Sequence, residues 1–108
     1  MRAGYRDPVD TIQPAELATI EDAVIIDVRQ PEEWEAAHVE GATLIPLGEL
    51  VERVGELPTD GTLYLMCRSG ARSAQATAWL EQQGYDAVNV DGGIIAWHEA
   101  GLPIVQPE

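Results

Sequence analysis

The residues best suited to chemistry lie between positions 67 and 73. Cys67 is the only cysteine of the chain, and it comes directly after the apolar run 63–66. The segment that follows contains two arginines, two serines, a glycine and an alanine, and we predict that all six bind substrate: Arg68, Ser69, Gly70, Ala71, Arg72 and Ser73. A cysteine reacts as its thiolate, and neighbouring cations and amide groups stabilise that form. The spacing therefore indicates a nucleophilic thiol in an anion-binding loop.

The elements on either side of Cys67 predict where it lies. The run 63–66 reads as a buried strand, and the Ala-rich segment 73–83 reads as an amphipathic helix that ends at Gly84. Ser73 either contributes its hydroxyl to the bound group or serves as the N-cap of this helix. With the amide groups and positive end of the helix dipole directed at the loop, we expect a lowered thiol pKa for Cys67.

The loop residues suit an anion for separate reasons. Gly70 can adopt the positive φ that a tight turn requires, so that backbone N–H groups converge on a bound anion. Arg68 and Arg72 carry planar guanidinium groups, which match an oxyanion better than a lysine ammonium does.

The alternative interpretation of Cys67 is a buried structural thiol, since free cysteines are commonly buried. A single cysteine forms no internal disulfide, and no metal-ligand spacing or cofactor motif is present, so the sequence predicts no cofactor.

Composition narrows the classes of partner. At 108 residues the chain fits one domain at 11–105, between an N-terminal arm at 1–10 and a tail at 106–108. Its net charge is −13, and all six basic residues are arginines. Such a surface disfavours nucleic acid and anionic membranes as partners. The first residues lack the apolar core of a signal peptide, which predicts a cytoplasmic location.

The order of elements predicts an α/β fold. Short apolar runs, such as 23–26 and 87–90, alternate with helical segments, such as 15–20, where Leu17 and Ile20 are expected to face inward. In parallel sheets, sites form beyond the carboxyl ends of the strands. That edge should bring together residues 27–29, 67–72 and 91–93.

Four segments of this chain, taken in their order along the sequence, resemble the single-domain rhodanese family. They are 25–29 with Glu33 and Trp34, 38–42 with Ile45 and Pro46, 67–73, and 91–97. The resemblance implies a three-layer fold, with a five-stranded, mainly parallel sheet and helices on both faces. It also implies that Cys67 is catalytic and carries a transferable sulfur as a persulfide. In this pattern Asp27 and Arg29 resemble a structural pair, and His38 resembles a structural turn residue, although the sequence leaves further roles for Arg29 and His38 open.

The resemblance implies a small anionic sulfur donor, such as thiosulfate, and a thiol or cyanide acceptor; a protein donor or acceptor is an alternative. Three functions are open: a sulfurtransferase, a sulfur-carrier module for a specific protein partner, and a phosphatase or arsenate reductase. The spacing from Cys67 to Arg72 is C-x4-R, one residue shorter than the C-x5-R of phosphatases. In the family that this chain resembles, the shorter loop goes with sulfur rather than with phosphate or arsenate. Since no second cysteine is available, the acceptor must come from outside this chain.

Overall fold

The computed structural model describes residues 9–107. Residues 1–8 of the predicted arm and residue 108 of the predicted tail lie outside the described residues. Five strands and five α-helices alternate: β1 (Thr11–Ile12), α1 (Pro14–Leu17), β2 (Val24–Asp27), α2 (Pro31–Ala36), β3 (Thr43–Leu44), α3 (Leu50–Arg53), β4 (Thr62–Met66), α4 (Ala71–Gln82), β5 (Asp86–Val90) and α5 (Gly93–Glu99). Two 3-10 turns flank α3, at Leu47–Glu49 and Val54–Glu56.

The strands of the described chain form one parallel sheet in the order β1-β5-β4-β2-β3. The register pairs Asp27 with Met66 and Leu65 with Asn89, so the three central strands end at the same edge. This arrangement confirms the predicted α/β class and its five-stranded parallel sheet. It also brings the segments that follow β2, β4 and β5 together at the carboxyl edge.

Alternating strand residues supply a core on each face of the sheet. Leu65 packs on the face that α3 and α4 cover, together with Leu50 and Leu80. Its neighbour Met66 packs on the opposite face, with Leu17 of α1 and Trp97 of α5. Because both faces are buried, the strands need apolar residues at consecutive positions, which explains the uninterrupted runs in the sequence.

The longest helix begins two residues earlier than the sequence suggested. Gly70, with φ +110°, is the N-cap of α4, and the Gly70 carbonyl accepts the first helical hydrogen bond from the Ala74 N–H at 3.0 Å. Ser73 is therefore inside the helix, and its predicted N-cap role is wrong. Gly84 ends the helix as predicted, since its φ of +93° lets the Tyr85 N–H reach the Leu80 carbonyl at 3.0 Å.

Ile20 is 38% exposed, contrary to expectation, because α1 ends at Leu17 and the following turn leaves Ile20 at the surface. Within residues 9–107, every helix is too short or too polar to span a bilayer.

Candidate active site

The Cys67 sulfur points into the turn that follows β4. The Gly70 N–H donates a hydrogen bond to Cys67 Sγ at 3.0 Å, and the Ser73 hydroxyl lies 3.3 Å from the same atom. Backbone N–H groups of Ser69 and Ser73 also stabilise the sulfur. The side chain therefore faces convergent donors, which is the arrangement an anionic sulfur requires.

The loop's amide groups face inward because its carbonyl groups bond elsewhere. The Cys67 carbonyl accepts the Ile94 N–H at 2.9 Å, and the Arg68 carbonyl accepts the Ile95 N–H at 3.1 Å. These donors belong to the first turn of α5, whose N–H groups have no partner within the helix. Gly93, with φ +60°, lets the two backbones approach this closely. Helix α5 thus holds the outer side of the loop.

These contacts have a net effect on the acidity of the thiol. Burial raises the pKa of Cys67, but hydrogen bonds from the Ser73 hydroxyl and N–H, together with the N–H groups of Gly70 and Ser69, lower it by more. The pKa of Cys67 therefore lies below its ordinary value, as the position between strand and helix predicted. A larger thiolate fraction at neutral pH follows.

Cys67 is only 1% exposed and belongs to the apolar cluster that includes Val28 and Ala76. Arg68, Ser69 and Ala71 in the loop that follows it are exposed, so the sulfur lies beneath a surface turn at the sheet edge. This geometry favours small reagents over bulky ones.

The two loop arginines have different surroundings. Arg72 donates two parallel hydrogen bonds to the carboxylate of Glu33 in α2, at 2.7 and 2.8 Å. Those bonds hold the pKa of Glu33 at about 2, against an ordinary value of 4.5. Arg68 is exposed in the loop. The guanidinium of Arg72 is thus partly neutralised, whereas that of Arg68 faces solvent.

A buried ion pair positions the helix that carries Glu33. Arg29 is 4% exposed and makes three hydrogen bonds of 2.8 to 3.1 Å to the carboxylate of Asp27. Its remaining N–H groups donate to the carbonyls of Glu33 and Ala37, at 3.3 and 2.7 Å. The predicted structural pairing of Asp27 with Arg29 is confirmed, and its effect is to fix α2 against the end of β2.

Comparison with protein families decides the classification. The model of the Rhodanese-like domain family matches residues 13–100, most of the chain. The chain belongs to the rhodanese-like domain family. A rhodanese-related protein from Thermoplasma volcanium shares the fold with a TM-score of 0.85 and 36% identity, over 89% of this chain and 97% of that one.

Two relatives of this rhodanese-like domain carry names that refer to sulfur chemistry. A sulfurtransferase of Allochromatium vinosum is 47% identical over 85% of this chain and 87% of its own length. A putative sulfur carrier protein of Bacillus subtilis, YrkF, is 43% identical over 68% of this chain but only 40% of its own length. The relatives' names thus point to sulfur transfer in general.

The remaining residues singled out in the sequence have structural surroundings. The ring of His38 stacks on Trp34 with centroids 3.9 Å apart, and its Nδ1 lies 2.8 Å from the Trp34 carbonyl oxygen. Trp34 itself is half-buried. Trp97 is buried in the core, and His98 is exposed.

The structure adds contacts to the rhodanese-like site that sequence reasoning missed. Glu33 is 39 residues from Arg72, and Asn89 is 16 residues from Ser73, whose hydroxyl it contacts. Glu33 was noted only as part of a motif. A polar residue inside the otherwise apolar run 87–90 was the signal that could have identified Asn89.

The Glu33–Arg72 pair predicts a pH-dependent contribution to stability. Because the pKa of Glu33 is lowered on folding, the contribution is present above pH 4.5 and is lost as pH falls toward 2. We expect Glu33→Gln to cost about 1 kcal/mol of unfolding free energy at pH 7. The difference from the wild type should shrink below pH 4.5, measured by urea unfolding at several pH values.

Glu32→Gln is the matched control, since it removes the same charge from an exposed position of α2. If the unfolding free energy of the wild type exceeds that of Glu33→Gln by the same amount at pH 2.5 as at pH 7, the assignment is contradicted.

Proposed function

We propose that this domain is a sulfurtransferase in which Cys67 carries a sulfane sulfur as a persulfide. The Cys67 thiolate attacks the outer sulfur of an anionic donor such as thiosulfate. The sulfur–sulfur bond of the donor breaks, and sulfite leaves with the bonding electron pair. An acceptor such as cyanide, or the thiolate of an external thiol, then attacks the terminal sulfur and releases the Cys67 thiolate.

The observation that carries this proposal is the set of donors around Cys67 Sγ. The Gly70 N–H at 3.0 Å and the Ser73 hydroxyl at 3.3 Å can stabilise the Cys67 thiolate, both when it attacks the donor and when the acceptor regenerates it. The carbonyls of Cys67 and Arg68 are turned toward α5, so they do not repel an anion in the loop.

The same loop disfavours a phosphatase. With Arg72 tied to Glu33 and only four residues between Cys67 and Arg72, the turn is short and its arginine is already bound to a carboxylate. The 1% exposure of Cys67 also favours a small sulfur donor over a phosphate ester. We therefore place phosphate and arsenate chemistry below sulfur transfer.

Mass spectrometry of the intact chain tests the proposal. Incubation with thiosulfate should add the mass of one sulfur atom at Cys67, and later addition of cyanide should remove it and yield thiocyanate. A phosphate ester incubated in parallel should not be hydrolysed. Absence of the added mass together with hydrolysis of the ester would overturn the assignment.

We further propose that Arg68 attracts the donor. Arg72 contributes less, because the Glu33 carboxylate compensates part of its positive charge. Arg68→Gln should raise KM for thiosulfate about threefold with little change in kcat, because exposed charge interactions contribute below about 1 kcal/mol. Glu33→Gln should lower KM about twofold, since it removes the carboxylate that neutralises Arg72. Steady-state kinetics at low ionic strength measure both changes.

Arg53→Gln is the control for Arg68→Gln, because Arg53 is paired with Glu49 and Glu56 around α3 and lies outside the loop. Its KM should equal that of the wild type. If Arg53→Gln and Arg68→Gln raise KM equally, overall charge rather than Arg68 attracts the donor.

A sulfur-carrier module that serves one protein partner is the second proposal, supported by the name of the relative YrkF. Both proposals use the Cys67 persulfide, and a cytoplasmic setting would suit both by keeping the thiol reduced. Multiple turnovers with cyanide support the enzyme. A loaded persulfide that persists with cyanide and free thiols supports the carrier.

A further inference from the structure

The Ser73 hydroxyl has one proton, and three acceptors surround it. Its oxygen lies 2.5 Å from Asn89 Oδ1, 3.3 Å from Cys67 Sγ and 3.3 Å from the Gly70 carbonyl oxygen. Ser73 is 0% exposed, so bulk water does not supply a further partner. The proton can be donated to one acceptor at a time, and Asn89 Oδ1 is the nearest.

The orientation of the Asn89 amide follows from its second contact. Asn89 Nδ2 donates to the Gly70 carbonyl at 3.3 Å, which turns Oδ1 toward Ser73. A reversed amide would place Oδ1 against that carbonyl, and two acceptors would face each other. Asn89 is 6% exposed, and its backbone is held in β5, where its N–H donates to the Asp10 carbonyl at 2.8 Å.

The contact with Gly70 is not what holds the loop in place. The Gly70 carbonyl also accepts the Ala74 N–H at 3.0 Å, as the first hydrogen bond of α4. Removing the Asn89 amide therefore leaves that carbonyl with a partner. The main consequence of losing Asn89 Oδ1 falls on the Ser73 hydroxyl.

We propose that Asn89 is a positioning residue that competes with the Cys67 sulfur for the Ser73 proton. While the sulfur is a neutral thiol, the proton is donated to Asn89 Oδ1. When the sulfur becomes a thiolate, it is the stronger acceptor and takes the proton. Asn89 Oδ1 then loses its hydrogen-bond donor, so forming the thiolate costs more free energy than it would without Asn89.

This inference rests on the proposed function only in taking Cys67 as the nucleophile. It adds a reason for a buried amide beside the thiol. A thiolate that is stabilised too strongly attacks more slowly, because nucleophilicity falls as the pKa falls. By competing for the proton, Asn89 keeps the cysteine reactive while Ser73 remains available to stabilise the thiolate that each transfer regenerates.

The pH dependence of alkylation by iodoacetamide, a small neutral reagent, tests the inference on the full chain. The variants are Asn89→Leu, which keeps the side-chain shape without Oδ1, Ser73→Ala, and the double variant. The charged groups nearby are unchanged throughout: Arg72, which interacts with the thiolate, its partner Glu33, the buried Asp27, and Arg68. A difference in midpoint therefore reports on Ser73 and Asn89.

Asn89→Leu should lower the alkylation midpoint by about one pH unit, because the Ser73 proton is then free for the sulfur. Ser73→Ala should raise the midpoint by a similar amount, and the double variant should match Ser73→Ala. An unchanged midpoint in Asn89→Leu would overturn the inference, and so would a shift that persists without Ser73. If Asn89→Leu does not fold, Asn89→Val also lacks Oδ1 and carries the same expectation.

The readout involves no sulfur donor, so the two proposals fail separately. A shifted midpoint without persulfide formation would uphold the role of Asn89 and overturn sulfur transfer. Persulfide formation with an unshifted midpoint would uphold sulfur transfer and overturn the role of Asn89.

Discussion

Replacing Cys67 with serine is expected to abolish the added sulfur mass and to reduce thiocyanate formation by at least roughly 10³-fold. A serine hydroxyl is not ionised at neutral pH, and it cannot form a persulfide. Its size matches the site, and the Gly70 N–H that now donates to Cys67 Sγ at 3.0 Å can donate to the hydroxyl oxygen. The fold should therefore persist.

Thermal unfolding of the Cys67→Ser variant separates loss of chemistry from loss of structure. Since the substitution buries a hydroxyl that has a donor, it should cost no more than about 1 kcal/mol. Retained thiocyanate formation in a folded Cys67→Ser protein would show that another group carries the sulfur.

Gly93→Ala is expected to be the most destabilising single substitution around the loop. The added Cβ would overlap the Cys67 carbonyl oxygen and would lie 2.6 Å from the Arg68 carbonyl carbon and oxygen. Backbone atoms cannot move aside as a flexible side chain can, and φ at Gly93 is +60°. We expect a loss of more than about 3 kcal/mol in unfolding free energy, and loss of sulfur transfer in any protein that remains folded.

Gly101→Ala is the matched control, because it follows the other end of α5 with a similar φ of +79° and nothing within 4 Å of its added Cβ. It should cost only the strain of a positive φ, about 1 kcal/mol. Chemical denaturation of both variants measures the difference. Equal losses would mean that the close approach of α5 to the loop is not what Gly93 permits.

Much of the fold could be predicted because its signals are local. Apolar runs flanked by turn residues predicted the strands β2, β4 and β5 to within one residue at each end, and parallel pairing then placed Cys67 at the carboxyl edge. Gly84 marked a helix end through its own backbone conformation. Errors occurred where side-chain pattern and backbone disagree. Serine is a residue type preferred at N-caps, which suggested Ser73 as the start of α4, but the N-cap is Gly70 in a left-handed backbone conformation.

The partners within the site could not be predicted, since each joins elements far apart in the sequence. Arg72 is an example: from the sequence it was predicted to bind an anionic donor, but α2 places the Glu33 carboxylate 2.7 Å from its guanidinium.

Sequence alone was enough for the class of fold and for the edge of the sheet where Cys67 lies, because periodicity and turn chemistry are properties of neighbouring residues. The fold had to be known before one could say which donors reach the sulfur, which arginine stays exposed and which acceptors surround the Ser73 hydroxyl. Those outcomes depend on distances of about 3 Å between side chains and backbones of different elements, and such distances are set by how the elements pack.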